Sequence, residues 1–217
     1  MKNWDRLRDD MVEKQLRRRG IRDQRVLEAM RRVPRHEFVP ESFRAYAYDD
    51  EPLPIGSAQT ISQPYMVAAM AEALRLRGPE RVLEVGSGSG YGAAVLAELA
   101  AQVWTIECLP GLVAMARRHL AAAGYKRVRV VQGDGSLGYP RAAPFQAISV
   151  AAGAPDVPHQ LVTQLDEEDG RLVIPVGTLD DQELRLLRRV AGRVETKVVS
   201  FCRFVPLLGA QAWKPGS

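Results

Sequence analysis

Three carboxylates stand where short apolar runs give out: Glu84, Glu107 and Asp134. The first belongs to Arg81-Val-Leu-Glu-Val-Gly-Ser-Gly-Ser-Gly-Tyr-Gly92, where glycine recurs at every second position from Gly86 to Gly92. A strand, a tight glycine turn and a helix start let the backbone approach a ligand closely and aim amide groups at it. Glu107 ends the next apolar run, Val103–Ile106, and lies 21 residues past Gly86. That is where the second strand of a βαβ unit offers a carboxylate to a ribose. Asp134, between Gly133 and Gly135, can accept a hydrogen bond from an exocyclic amine such as adenine N6, although Gly-Asp-Gly is also a good turn on its own. All three carboxylates at consecutive strand ends point to a nucleoside site rather than to chance turns.

The same residues narrow the nucleoside. A dinucleotide places its pyrophosphate at a helix N-terminus, whereas three acidic groups favour a ligand without phosphates and with positive charge. S-adenosylmethionine, with an ammonium and a sulfonium, meets that demand. Gly88-x-Gly90-x-x-Ala93 loosely matches the dinucleotide fingerprint, but about 80 residues precede it, and dinucleotide folds usually open with theirs. For a methyl acceptor, exclusion helps. No Asn/Asp-Pro-Pro-aromatic motif follows Phe145–Val150, where Ser149-Val-Ala-Ala-Gly-Ala-Pro155 stands instead. Cys202 lies in an apolar run and reads as a core residue, and neither it nor Cys108 has metal-ligand spacing, so no metal is expected. His119 falls mid-helix and His159 near a helix start, both suited to packing or surface, and His36 is uninterpretable alone. A site with no evident general base suits a carboxylate acceptor, which is ionised above a pKa of ~4 and has no proton to lose.

The elements that must position these groups follow from periodicity. Leu7, Met11, Val12 and Leu16 mark one face of a first helix that Gly20 ends, and Asp23 caps a second helix carrying Val26, Leu27, Met30 and Val33. Residues 34–56, with four prolines, predict an irregular but ordered cover. After Gln59–Ser62 a helix carries Met66, Val67, Met70 and Leu74, with Ser62 as a candidate N-cap and Pro64 in its first turn; composition alone favours that capping role. Strands are expected near Val82–Val85, Val103–Ile106, Val128–Val131, Phe145–Val150 and Leu172–Val176, with helices over Ala93–Ala100, Pro110–Ala123 and Val157–Leu165. Glu183–Val190 and Val194–Leu207 form a closing antiparallel pair. The rhythm predicts a Rossmann-like, doubly wound α/β fold with a mostly parallel seven-stranded sheet. We read 1–217 as one domain, with 1–58 a helical cover and 59–217 the cofactor-binding core.

Composition sets the bounds. Hydrophobic residues at 46% and charged residues at 26% are ordinary for a globular chain of 217 residues, and the net charge of +4 permits an acidic partner without requiring one. The basic clusters Arg17–Arg19 and Arg31–Arg32 read as solvated helix faces. Residues 1–20 carry charges throughout with no apolar run of a signal peptide, and no stretch approaches the ~18 apolar residues of a membrane span.

Arg35-His-Glu-Phe-Val-Pro40, Gln59-Thr-Ile-Ser-Gln-Pro-Tyr-Met66, the glycine motif at 84–90, Gly133-Asp-Gly-Ser-Leu-Gly138, Gly170–Gly177 and Arg203-Phe-Val-Pro-Leu207 resemble, in order and spacing, the protein-L-isoaspartate O-methyltransferase family. The resemblance covers nearly the whole chain. It implies methyl transfer from S-adenosylmethionine to the free carboxylate of L-isoaspartyl residues in damaged proteins and peptides, giving an ester that proceeds to a succinimide. It makes Ser62 the active-site residue, orienting the acceptor carboxylate, with Thr60 and Ile61 beside it. Glu84, Gly86, Ser87 and Gly88 would cradle the methionine part, Glu107 the ribose, and Asp134 with Gly135 the adenine, with Thr60, Ile61 and Cys108 also among the cofactor-binding residues. Val205, Pro206 and Leu207 would contact substrate backbone. Gln146 stands where many members carry an acidic residue. The resemblance also leads us to expect a cytoplasmic monomer that engages neither nucleic acid nor membrane. The alternatives are another S-adenosylmethionine-dependent methyltransferase acting on RNA or a small molecule, a nicotinamide oxidoreductase, and a non-catalytic cofactor binder.

Overall fold

The computed structural model describes residues 3–190 and 192–214. The chain opens with helix α1 (Trp4–Asp10), which continues as a wider π-helical stretch over Met11–Arg17, and then α2 (Gln24–Arg32). Asp23 caps α2 as expected, its carboxylate accepting from the amides of Arg25 and Val26. The proline-rich stretch forms two short 3₁₀ turns and then a small ribbon, β1 (Leu53–Gly56) against β2 (Gln59–Ile61). The sequence showed no strand signal there, because three- and four-residue strands hold too few side chains to reveal a period.

Helix α3 (Pro64–Leu74) corrects the expectation for Ser62. Pro64 occupies the first helical position, so the N-cap is Gln63, which makes no side-chain capping bond. Asp50 from the cover supplies the acceptor instead, taking the Tyr65 amide at 3.3 Å while its carbonyl accepts from Gln63 Nε2 at 2.7 Å. Ser62 is thus one residue too early to cap, and its hydroxyl is left to another purpose.

The core is one seven-stranded sheet: β3 (Arg81–Val85), β4 (Gln102–Glu107), β5 (Arg129–Gln132), β6 (Ala147–Val150), β7 (Arg171–Gly177), β8 (Gln182–Val190) and β9 (Arg193–Cys202), in the order β5-β4-β3-β6-β7-β8-β9. The first five in that order run parallel, while β8 and β9 fold back antiparallel as a terminal meander. Helices α4 (Tyr91–Leu99), α5 (Pro110–Ala122) and α6 (His159–Thr163) complete the chain, α6 being shorter than its apolar pattern suggested. Strand alternation splits the core. Val82, Val103, Ala147 and Val173 join the apolar cluster reaching the cover, whereas Leu83, Trp104, Ile148 and Leu172 pack on the opposite face. Burial of both faces explains why β3 reads as a nearly continuous apolar run, and each buried Val or Leu there contributes about 1.5–3 kcal/mol relative to exposure.

One expected strand is cut short. The pattern Val194–Leu207 suggested a single long strand, but β9 ends at Cys202 and the chain swings back across the sheet, so that Pro206 bridges Gly153 beyond β6. β9 stops where its partner does, at the Gln182–Cys202 pair that opens β8, and Pro206 further on lacks the donor to resume a ladder.

Candidate active site

Strand order reverses around β3, with β4 on one side and β6 on the other, and the ligand crevice of an open α/β sheet lies outside the carboxyl ends at that point. A cavity of about 1050 Å³, its open mouth included, lies there. It gathers Glu84 and Gly86–Gly88 from the end of β3, Glu107 and Cys108 from the end of β4, Gly135, the segment Thr60–Ser62, and Val205–Leu207. Residues from five separate parts of the chain thereby face one another. Asp134 stands just behind this wall.

Glu84 is 3% exposed, and its carboxyl accepts from Thr105 Oγ1 at 2.5 Å. With Thr105 donating there, the Ser87 hydroxyl 2.7 Å away donates to Thr105 in turn. Burial pushes the Glu84 carboxyl up to about 8; the Thr105 bond opposes this, and the neighbouring Glu107 charge adds to it. Gly92, in the first turn of α4, has to lack a side chain, because a methyl group there would overlap Glu84 Oε1. That explains the fourth glycine of the motif, which the turn itself does not demand.

Glu107 is also buried. Its Oε2 accepts from the Gly88 amide at 3.0 Å, and its Oε1 accepts from the Leu109 amide at 3.0 Å and from the Cys108 thiol at 3.6 Å. Gly88 reaches it with a φ of +50°, a left-handed conformation that favours glycine. The Glu107 carboxylate, with a Glu84 carboxyl beside it that a positive charge would ionise, suits the crevice to a cationic guest. Desolvation of the Cys108 sulfur and the Glu107 carboxylate both raise the thiol's pKa, so it is a poor nucleophile.

Asp134 is occupied by its own chain. Oδ1 accepts from the Ser136 amide at 2.9 Å and the Ser136 hydroxyl at 2.6 Å, and Oδ2 accepts from the Ala210 amide at 2.8 Å. A carboxylate has about four lone-pair sites, so one remains on Oδ2. The tail contact was invisible in the sequence, since residues 134 and 210 are linked only by the fold. Thr105 was missed too; a polar residue inside an apolar strand is the signal that could have found it. Ser62 lines the cavity half-buried, on the short link between β2 and α3. The histidines lie elsewhere. His36 stacks on Trp4 and bonds the Tyr48 hydroxyl, and His119 Nδ1 meets the Ser89 carbonyl at 3.0 Å. Among the described residues no three His, Cys, Asp or Glu side chains gather as a metal site, and no helix is long and apolar enough to cross a membrane.

Comparisons with known proteins agree with this geometry. The family model described as protein-L-isoaspartate(D-aspartate) O-methyltransferase matches residues 6–212. A protein-L-isoaspartate O-methyltransferase of Methanoculleus marisnigri is 53% identical over 209 residues, covering 96% of this chain and 94% of its own. Protein-L-isoaspartate O-methyltransferase 2 of Marinobacter nauticus is 56% identical over 209 residues, covering 95% of each. Among solved structures, a protein-L-isoaspartate O-methyltransferase superposes with a TM-score of 0.85 at 29% identity, covering 94% of this chain and 67% of the other. A Plasmodium falciparum protein assigned to the same class, crystallised with S-adenosyl-L-homocysteine, gives 0.81 at 26% identity, covering 93% and 98%. A family model spanning almost the whole chain and relatives above half identity leave one conclusion: the chain belongs to the protein-L-isoaspartate(D-aspartate) O-methyltransferase family.

Proposed function

We propose that this cavity brings S-adenosylmethionine and the side-path carboxylate of an L-isoaspartyl residue together, and that the chain is a protein-repair methyltransferase. The observation that carries the reading is the convergence in one cavity, at the reversal of strand order, of two buried carboxylates with Ser62 and Val205–Leu207. The donor set fits a cofactor with an ammonium and a sulfonium: Glu107 and Glu84, the latter ionised by the cationic guest, carry the negative field, and Gly86–Gly88 leave room for close backbone approach. When bound, the cofactor supplies an electrophilic methyl group, so that an O–CH₃ bond forms as the S–CH₃ bond breaks, the carboxylate charge and sulfonium charge cancel, and no proton moves.

Glu84 holds the methionine end, supported by Thr105 and Ser87. Glu107, with Cys108 at the rim, holds the ribose. Gly135 lies against the adenine, and the remaining lone pair of Asp134 takes its amine. Ser62, with Thr60 and Ile61 beside it, orients the acceptor through its hydroxyl, which no helix cap claims. It does not attack, because a methyl ether on serine would end the cycle. The enzyme's main work is alignment, which can supply roughly 7–11 kcal/mol of a barrier when two reactants are well oriented. The ester product then loses methanol as the following backbone nitrogen closes a succinimide, which opens partly to normal aspartate. The experiment is a paired assay with an isoaspartyl peptide and its aspartyl twin. Methyl incorporation into the first alone, released as methanol by mild base, is expected; equal labelling of both would sink the reading. We further propose a monomer in a reducing, cytoplasmic setting, supported by the two free thiols Cys108 and Cys202. A dimer in sedimentation velocity would overturn the monomer.

A further inference from the structure

The segment that faces the acceptor, Val205–Leu207, belongs to no strand. Among the described residues its backbone bonds run to two residues: Gly153 N–H donates to the Val205 carbonyl and Leu207 N–H donates to the Gly153 carbonyl, each at 2.8 Å, and Trp213 N–H donates to the Leu207 carbonyl at 3.0 Å. Pro206 between them offers no donor. Three backbone bonds to two residues do not fix a chain to the fraction of an ångström that an oriented reaction requires. Something else has to hold it, and the structure shows two anchors outside the cavity.

The first is Gln182, at the start of β8 and 2% exposed. Its side-chain amide pairs with the Phe204 backbone in both directions, Oε1 accepting from Phe204 N at 2.8 Å and Nε2 donating to Phe204 O at 3.2 Å. Nε2 also donates to the Thr178 carbonyl at 3.2 Å. A buried amide so satisfied acts as a piece of strand inserted between β8 and the segment. The second anchor is Ser136, which is fully buried. Its hydroxyl donates to Asp134 and accepts from the Gln211 amide at 3.0 Å, while Asp134 takes the Ala210 amide. Gly209 lies so close that a methyl group there would overlap both Asp134 Oδ1 and Ser136 Oγ. One anchor precedes the acceptor-facing residues and the other follows them.

We propose that Gln182 and Ser136 are positioning residues for the acceptor polypeptide, clamping the segment Phe204–Gln211 at its two ends so that Val205–Leu207 is held in register against the cavity. The inference rests on the reading of that segment as the substrate-facing wall. Neither side chain lines the cavity, so each acts through the backbone it holds.

The test compares Gln182→Met, Ser136→Ala and Gly209→Ala with the parent protein. Three quantities are read: binding of a fluorescent isoaspartyl peptide in the presence of S-adenosylhomocysteine, calorimetric binding of S-adenosylhomocysteine alone, and thermal melting. Each variant is expected to weaken peptide binding on the order of tenfold, the loss that goes with one or two hydrogen bonds; Gln182→Met leaves the S-adenosylhomocysteine constant within about twofold, whereas Ser136→Ala and Gly209→Ala, which disturb Asp134, weaken it as well. In Gln182→Met, peptide and S-adenosylhomocysteine constants falling together would overturn the proposal, as would unchanged peptide binding beside a lowered melting temperature in any of the variants, since a purely structural role moves those quantities. If Gln182→Met does not fold, Gln182→Glu, which keeps an acceptor for Phe204 N–H and loses the donor to its carbonyl, decides by the same split. A parent protein that binds S-adenosylhomocysteine but not the isoaspartyl peptide would instead refute the functional reading itself, which separates the two failures.

Discussion

Burial holds the Glu84 carboxyl near a pKa of about 8, so at neutral pH the protein without a cationic guest keeps a proton there. The value is raised above the ordinary 4.5, so between those two pH values the folded chain carries a proton that the unfolded chain has lost. Its contribution to stability is therefore full below about 4.5 and is lost as pH climbs through about 8. A cationic cofactor favours the ionised form and expels the proton. Cofactor binding should thus strengthen with rising pH, by up to about tenfold per unit below the pKa, and level off above it. Calorimetry in buffers of different ionisation heat should detect close to one released proton at pH ~6.5, falling below half of one above pH ~8, and Glu84→Gln should abolish it; a parent protein releasing none at pH ~6.5 would refute the assignment. Ser62 makes a separate prediction. Asp50 already serves α3, so Ser62→Ala should leave the melting temperature unchanged while lowering turnover about 10- to 100-fold, the range of one hydrogen bond to a charged group, with cofactor affinity intact. A melt lowered by several degrees with turnover preserved would restore the capping role. The sequence could propose both capping and catalysis for Ser62 because both use a hydroxyl near a helix start, and only the position of Pro64 with the arrival of Asp50 separated them.

The helix that follows Ser62 is held from its far end. Helix α3 finishes in Arg75 with a φ of +48°, a left-handed cap on a residue that is not glycine. Arg171, at the start of β7 and 3% exposed, donates from Nη1 to the Leu74 and Arg75 carbonyls at 2.7 and 2.9 Å. It thereby satisfies orphan carbonyls and sets a positive charge at a helix C-terminus. Burial lowers its pKa, and Asp169 and Glu80 raise it back in part. Arg171→Met should cost about 2–3 kcal/mol, since buried carbonyls lose a charged donor, and chemical denaturation would measure it. A loss under half a kcal/mol would show that water replaces the guanidinium freely. The helix pattern, the β-α rhythm and the cap of α2 could be read from periodicity, because each depends on neighbours in the chain. Arg171 could not, as its partners lie 96 and 97 residues away.

At the scale of the molecule, one apolar cluster runs from Val12, Leu27 and Met30 of the cover through α3 and α4 to Val82 and Val103 of the sheet. The cover also props the cavity wall: Phe38 packs edge-on against Tyr91 at 5.7 Å, and the buried Arg35 guanidinium lies 4.9 Å over the same ring. Cover and sheet should therefore melt in a single calorimetric transition, and two resolved transitions would contradict this. S-adenosylhomocysteine at about 100 times its dissociation constant should raise that transition by roughly 5–11 °C, from ~2.7 kcal/mol of linkage in a chain of this size. No shift at saturating ligand would remove the cofactor from the cavity. By itself the sequence determined the alternation of strands and helices, the glycine turn, the acidic strand ends and the family, because these rest on local pattern and spacing. The tertiary structure alone decided that the final strands form a chain-order meander, that Val205–Leu207 leaves the sheet to face Ser62, and that Asp134 reaches the tail. Those outcomes depend on which distant backbone groups find partners once the core closes, and a one-dimensional pattern does not carry that information.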